Sequence, residues 1–350
     1  MAAYNLRRMS APLELHQHRS LRPLNTFGVE ANAAYYLEVT DLGQLQALRA
    51  DPKFSTMPRL ILGGGSNLLL TQDFPGVVLH IKNRGIEVCA EHDEAVMVKA
   101  SAGETWHALV QWTLAQGLPG LENLSLIPGS VGAAPIQNIG AYGSELADFF
   151  HSLTAFDMTS GELLTLSKAD CAFGYRDSIF KHSLRERAVI WEITLTLPRQ
   201  WQANLRYTEL AAEMTARGKT QPTAQDIAVA VVAIRTRKLP DPSIIGNAGS
   251  FFKNPVVSAE RRNALLAKYP ALVSYAQPDG SYKLAAGWLI DQCGWKGRSV
   301  GAAGVHEKQA LVLVNRGGAS GAEILQLAEQ IRSEVLEKYG VMLEPEPVIV

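Results

Sequence analysis

Two glycine-rich runs, Gly63-Gly64-Gly65-Ser66-Asn67 and residues 127–143, carry the first chemistry legible in this 350-residue chain. Glycine permits positive φ and close approach, so tight turns of this composition present backbone N–H groups as an anion nest. Each N–H given to a charged oxygen contributes about 1.5–3 kcal/mol. Two such loops hold a pyrophosphate without any broad basic surface. The first run departs from the G-x-G-x-x-G fingerprint, because Leu68 stands where the third glycine belongs. No Gly-Lys-Ser/Thr follows it either, and taken alone it reads equally as a structural turn. The second run, IPGSVGAAPIQNIGAYG, is more specific. Small residues dominate it and no amphipathic period runs through it, whereas a surface loop would be more polar. It reads as backbone pressed against a large flat ligand, and the two loops together point to a phosphate-rich dinucleotide cofactor.

Elements able to hold these loops follow from periodicity. The run 59–62 opens straight into the first loop, as a strand feeding a tight turn. A helical stretch begins near Asp41, and a second apolar run covers 77–81. A strand at 95–100 and a helix at 104–116, closed by Gly117, precede the second loop. Trp106, Leu109, Val110 and Leu114 share one face of that helix, which marks them as core. Strands are expected at 153–156, 163–166 and 189–197. Thr223 and Asp226 form a capping-box-like start to a helix with the stripe Ile227, Val231 and Ile234, stopped by Pro240. Further helices are expected at 259–268 with Ser258 as cap, at 284–293, and at 322–339 between Ser320–Glu323 and Gly340. A strand at 311–314 precedes the last, and 341–350 is extended.

Composition narrows the class. A net charge of −1 leaves no diffuse basic surface, so nucleic acid and anionic membranes are not expected partners. Cys89, Cys171 and Cys293 form no CxxC or CxxH spacing and read as reduced thiols. His16, His18 and His306 have no ligand-spaced partners, so no metal is expected. No apolar stretch reaches the roughly 18 residues of a membrane span. Glu14, His16, His18 and Arg19 interrupt any signal-type run after Arg7 and Arg8, and a cytoplasmic location is expected. Residues 1–20 read as a loosely ordered extension. The length suits two or three domains.

Beyond the loops, residues 24–28 (LNTFG), 173–178 (FGYRDS), 246–255 (GNAGSFFKNP), 285–291 (AAGWLID) and 343–346 (LEPE) stand in order along the chain. With the two loops they resemble the UDP-N-acetylenolpyruvoylglucosamine reductase family, within the PCMH-type (vanillyl-alcohol-oxidase-like) FAD-binding fold. The resemblance covers about residues 20–350. The segment Arg206-Tyr207-Thr208-Glu209-Leu210 is similar to the tyrosine loop of the family's type I branch.

The resemblance implies an α+β protein. A two-part FAD-binding region has its first part at 21–83, joined by 340–350, and its second at 84–238 with the tyrosine loop. A C-terminal α+β substrate-binding domain occupies 239–339. Non-covalent FAD is implied on Gly63, Gly64, Gly65, Ser66 and Asn67 of the first loop. On the second loop it is implied on Pro128, Gly129, Ser130, Gly132, Ala133, Asn138, Gly140, Ala141, Tyr142 and Gly143. NADPH is the implied hydride donor. UDP-N-acetylglucosamine enolpyruvate is the implied acceptor, reduced to UDP-N-acetylmuramate in peptidoglycan precursor synthesis, and a monomer is expected.

Hydride delivery to the substrate's methylene carbon leaves an enolate beside a carboxylate. That calls for a cation, a further hydrogen-bond donor and a proton source. By resemblance, Arg176 is the cation. Glu346 is the neutral acid donor if burial raises its pKa, and Ser250 gives the proton to the alpha carbon. Read without the family, Arg176 is equally an ion-pair partner of Asp177, Glu346 a solvated edge residue, and Ser250 a turn or cap residue. Tyr175, Tyr207, Lys238, Asn254, Tyr275, Lys296 and Gln309 are the implied substrate contacts. Lys238 equally compensates the dipole at its helix C-terminus, and Tyr175 and Tyr207 read equally as packing aromatics. Two other classes stay open: an oxidase or dehydrogenase of the same fold acting on a hydroxy acid or sugar lactone, and a nucleotide-sensing protein without turnover. Neither calls for Arg176, Ser250 and Glu346 together.

Overall fold

The computed structural model describes residues 13–350, which divide into two compact units. The first holds residues 13–19, 33–64 and 75–235; the second holds 20–32, 65–74 and 236–350.

The first unit carries two sheets. One has the strand order His16–Ser20, Asn32–Val39, Phe74–Ile81, Arg59–Leu62, and the last two run parallel, Leu62 facing His80. Its helix Leu42–Ala50 begins with Asp41 and Gln44 in a capping box. The other is antiparallel, in the order Leu163–Ser167, Phe150–Asp157, Ala188–Pro198, Ala95–Ser101, Ile86–Glu91. Val96, Val98 and Ala100 alternate inward on Ala95–Ser101, as a half-buried strand requires. They join Leu37, Val77, Leu109 and Ile193 in one core. Trp106 in the helix Trp106–Ala115 is buried there, with Nε1 donating to the Leu124 carbonyl at 3.0 Å. A satellite core forms where Leu210 and Met214 of the helix Thr208–Ala216 meet Ile227, Val231 and Ile234.

The second unit has a sheet ordered Gly246–Ser250, Val312–Asn315, Ala303–Val305, Ser299–Val300 and a smaller one ordered Val256–Val257, Tyr282–Leu284, Ser274–Ala276. Its helix Gly321–Tyr339 has the expected Ser320–Glu323 box and a left-handed Gly340 stop, and buries Ile324, Leu327, Ile331 and Val335. The strand Val348–Ile349 lies parallel to Leu68–Leu69, just after the first glycine loop.

The mixture of mainly antiparallel sheets and separate helices is α+β. Two local expectations change. The proposed N-terminal extension lies outside the described residues through residue 12, but His16–Ser20 is an edge strand, not loose chain. Its sequence, HQHRS, has no apolar alternation to announce it. The helix expected at 284–293 is shorter, Ala286–Gln292, because Leu284 is taken into a strand opposite Ser274. Among the described residues no helix is long and apolar enough to cross a membrane.

Candidate active site

The strand Arg59–Leu62 delivers Gly63 and Gly64 directly against Gly129 and Ser130 of the second loop. A Cβ on Gly63 would overlap Ser130 Oγ, and one on Gly64 would lie 2.9 Å from Gly129 Cα. A Cβ on Gly132 would come within 2.5 Å of the Ala102 Cβ, and one on Gly65 would overlap the Leu24 carbonyl. At these four positions the crowding that demands glycine comes from the protein itself. The sequence alone suggested that a ligand imposed it. The N–H groups of Gly64, Gly65 and Ser66, and of Gly129 and Ser130, have no acceptor among the described residues. Backbone donors of this kind fit the phosphates of a dinucleotide. Val131, Gly132 and Ala133 instead spend their N–H groups on Glu104, Ala102 and Ser130.

The entry to the second loop is held by residues that the sequence did not single out. Leu126 sits in the left-handed region at φ 58. Its N–H donates to His107 Nδ1 at 3.0 Å and its carbonyl accepts from Arg235 Nε at 3.2 Å. Burial lowers the His107 pKa, with Arg235 adding to the effect, which keeps Nδ1 available as an acceptor. Burial also lowers the Arg235 pKa, and the neighbouring Arg176 charge acts in the same direction. Leu126 lies far from His107 and Arg235 in sequence, so no local signal could have joined them.

Farther along, Gly140–Ala141 and Ser144–Glu145 pair as a minute hairpin whose two-residue tip is Tyr142-Gly143. Both tip residues have positive φ, 50 and 82, the conformation of a tight hairpin turn. A second tip, Tyr175-Arg176, is closed by reciprocal backbone bonds between Gly174 and Asp177. Arg176 holds φ 55, an uncommon state for an arginine. The two tips are laced together. Arg176 Nη2 donates to the Gly140 carbonyl at 2.9 Å, Ser178 Oγ to Ile136 at 2.7 Å, and Asn138 Nδ2 to Gly174 at 3.2 Å. Lys181 Nζ donates to the Arg176 carbonyl at 2.8 Å, and Asp177 gives its carboxylate to His182 at 2.9 Å. The Asn138 side chain is thus a scaffold element, since it also donates to Glu145 Oε2 and accepts from the Ala147 N–H. Tyr175 lies under the Arg176 guanidinium at 5.6 Å, and Tyr207 meets the Tyr142 ring edge-on at 5.1 Å.

In the second unit, the strand Gly246–Ser250 shifts register between Asn247 and Ser250, with Gly249 at φ 70. Asn247 locks this bulge by accepting from the Gly249 N–H at 2.9 Å. Bulges of this sort re-aim a side chain, here Ser250. The next residues bond to the C-terminal run: the Glu346 N–H donates to Phe251 at 2.8 Å and the Lys253 N–H to Glu344 at 2.9 Å. Ser250 and Glu346 therefore sit on neighbouring segments of one unit, while Arg176 belongs to the other. Asn67 Nδ2 donates to the Glu346 carbonyl at 3.2 Å. Asn254 Oδ1 accepts the first N–H of the helix Ala286–Gln292 at 2.9 Å. Lys296 lies 3.6 Å from Asp291, Gln309 Oε1 accepts from the Leu311 N–H at 3.3 Å, and Tyr275 is exposed. Lys238 is the last residue of the helix Ala224–Lys238. Among the described residues no group of three His, Cys, Asp or Glu is placed to hold a metal ion.

Known proteins resemble this chain over most of its length. A family described as FAD binding domain matches residues 33–167, a span that includes both glycine loops. A second, described as UDP-N-acetylenolpyruvoylglucosamine reductase, C-terminal domain, matches residues 241–350, a span with both Ser250 and Glu346. The UDP-N-acetylenolpyruvoylglucosamine reductase of Ralstonia nicotianae is 57% identical over 339 residues, covering 96% of this chain and 99% of its own length. That of Burkholderia vietnamiensis is 55% identical over 340 residues, 97% of each chain. The crystal structure of the Thermus caldophilus UDP-N-acetylenolpyruvylglucosamine reductase matches with a TM-score of 0.66 at 24% identity. It covers 97% of this chain and 98% of that one, a likeness of fold. On near-full-length identity of this order, the chain belongs to the UDP-N-acetylenolpyruvoylglucosamine reductase family, as a flavin-dependent oxidoreductase of the α+β, PCMH-type fold.

Proposed function

We propose that the protein reduces UDP-N-acetylglucosamine enolpyruvate to UDP-N-acetylmuramate, with NADPH as electron source, in the cytoplasm and as a monomer. FAD, when bound, supplies hydride transfer between NADPH and the substrate's methylene carbon. The loop amides of Gly64, Gly65, Ser66, Gly129 and Ser130 hold its phosphates. The flavin-binding part is read as 21–238 joined by 340–350. The substrate domain is read as 239–339.

The single observation that carries this reading is Arg176, held at positive φ and bonded to the glycine loop at Gly140. A planar, permanently charged fork fixed beside a flavin loop suits a carboxylate whose neighbouring carbon is gaining charge. Glu346 donates to the same developing enolate, and Ser250 gives its proton to the alpha carbon. Tyr175, Tyr207, Lys238, Asn254, Tyr275, Lys296 and Gln309 bind the sugar nucleotide. The test is NADPH consumption by purified yellow protein with and without UDP-N-acetylglucosamine enolpyruvate. Consumption that depends on this substrate and yields the lactyl ether supports the reading. A colourless protein, or consumption indifferent to the substrate, contradicts it.

A further inference from the structure

We infer that Asn123 and Asn204 are positioning residues that fix the Tyr142–Tyr207 pair, and through it a substrate-facing arm; the last step rests on the function proposed above. The tip Tyr142-Gly143 has φ 50 and 82, a conformation that costs a tyrosine more than a glycine. Both of its carbonyls are pinned. Asn123 Nδ2 donates to Tyr142 at 2.8 Å, and Asn204 Nδ2 donates to Gly143 and to Ser144 Oγ, both at 2.9 Å. Asn123 Nδ2 also donates to the Asn204 carbonyl at 2.9 Å, so the two asparagines act as one clamp.

The clamp reaches the arm. Asn204 Oδ1 accepts from the Arg206 N–H at 3.3 Å, one residue before Tyr207. The Tyr207 ring then meets Tyr142 edge-on, with centroids 5.1 Å apart and planes at 77°, while 43% of Tyr207 stays exposed. The contact ties the direction of the Tyr207 ring to Tyr142, whose hairpin tip the two asparagines hold.

Asn204 is the residue to change. A cavity of about 320 Å³ opens beside it, with Ser144, Trp201 and Arg206 also in the wall. Water there can take the carbonyl that Asn204 releases. Asn123 is fully buried, and its loss would strand two carbonyls.

The test places 3-fluorotyrosine at position 207 and compares ¹⁹F NMR spectra of the FAD-loaded parent, Asn204→Ala and the isosteric Asn204→Asp. One narrow line is expected in the parent, and a shifted or broadened line in both variants. FAD content and NADPH-driven flavin reduction should stay within about twofold of the parent. KM for UDP-N-acetylglucosamine enolpyruvate should rise about three- to tenfold, the factor of one ordinary hydrogen bond, with kcat changed less. An unchanged line in both variants overturns the proposal. So does a joint fall of FAD content and both half-reactions, which would mark Asn204 as merely structural. If the line moves but the parent does not turn over that substrate, the positioning stands and the functional reading falls.

Discussion

Arg176 Nη2 donates to the Gly140 carbonyl at 2.9 Å, which fastens the motif cation to the second glycine-rich loop. A lysine cannot keep that bond and also grip a carboxylate in two places. Arg176→Lys is therefore expected to retain FAD and its reduction by NADPH. Flavin reoxidation by the enolpyruvyl substrate should slow by about 10²–10³-fold, the usual loss for one preorganised donor at a developing anion. Rapid-mixing absorbance of the two half-reactions checks this. Equal slowing of both would remove Arg176 from the substrate side.

Backbone against backbone gives Gly64 no room. Gly64→Ala places a Cβ 2.9 Å from Gly129 Cα and should cost about 1–3 kcal/mol of stability together with much of the bound FAD. Gly63 differs, because its obstacle is the Ser130 hydroxyl. Gly63→Ala should be rescued in thermal stability by adding Ser130→Gly, and no second-site change of this kind should rescue Gly64→Ala.

Acid should weaken the first unit in two separate windows. His80 is buried with Nδ1 2.7 Å from Tyr36 Oη, and burial lowers its pKa to about 4. Between the unfolded value near 6.5 and the folded value, only the unfolded chain takes up the proton. Stability present above pH 6.5 is therefore lost as pH falls toward 4, by about 3 kcal/mol at most. His80→Gln should flatten that stretch of a denaturation series.

Asp157 acts lower on the scale. The Arg187 guanidinium, bonded through Nε at 3.0 Å to both carboxylate oxygens, holds its carboxyl well below the usual range. That contribution is present above the unfolded value near 4 and lost as pH falls through the folded one. Arg187→Ala should lower stability at pH 7 and do so progressively less below pH 4, as denaturation at the two pH values reads out. An undiminished difference at pH 3 would show that the pair contributes by packing.

What the sequence made legible was chemistry confined to one stretch of chain. The helix starts at Thr223–Asp226, Ser258 and Ser320–Glu323 need only residues three apart, and the structure has each of them. Trp106 as core followed from one helical face. Bonds that join distant segments left no such mark: His107 and Arg235 both bond Leu126, and Asn123 meets Asn204 across a hairpin tip. The helix Thr208–Ala216 buries only Leu210 and Met214, too few for a stripe, and went unread. The strand His16–Ser20 is polar throughout and carries no apolar alternation.

Ser250, aimed by the bulge that Asn247 locks, tests the proposed reaction most directly. Anaerobic stopped-flow absorbance should show Ser250→Ala reduced by NADPH at the parent rate. Its reoxidation by UDP-N-acetylglucosamine enolpyruvate should be at least about 100-fold slower, the loss expected of one acid–base group. A joint fall in both half-reactions, or none in either, would contradict the role given to Ser250. A parent protein that this substrate fails to reoxidise would contradict the reaction itself.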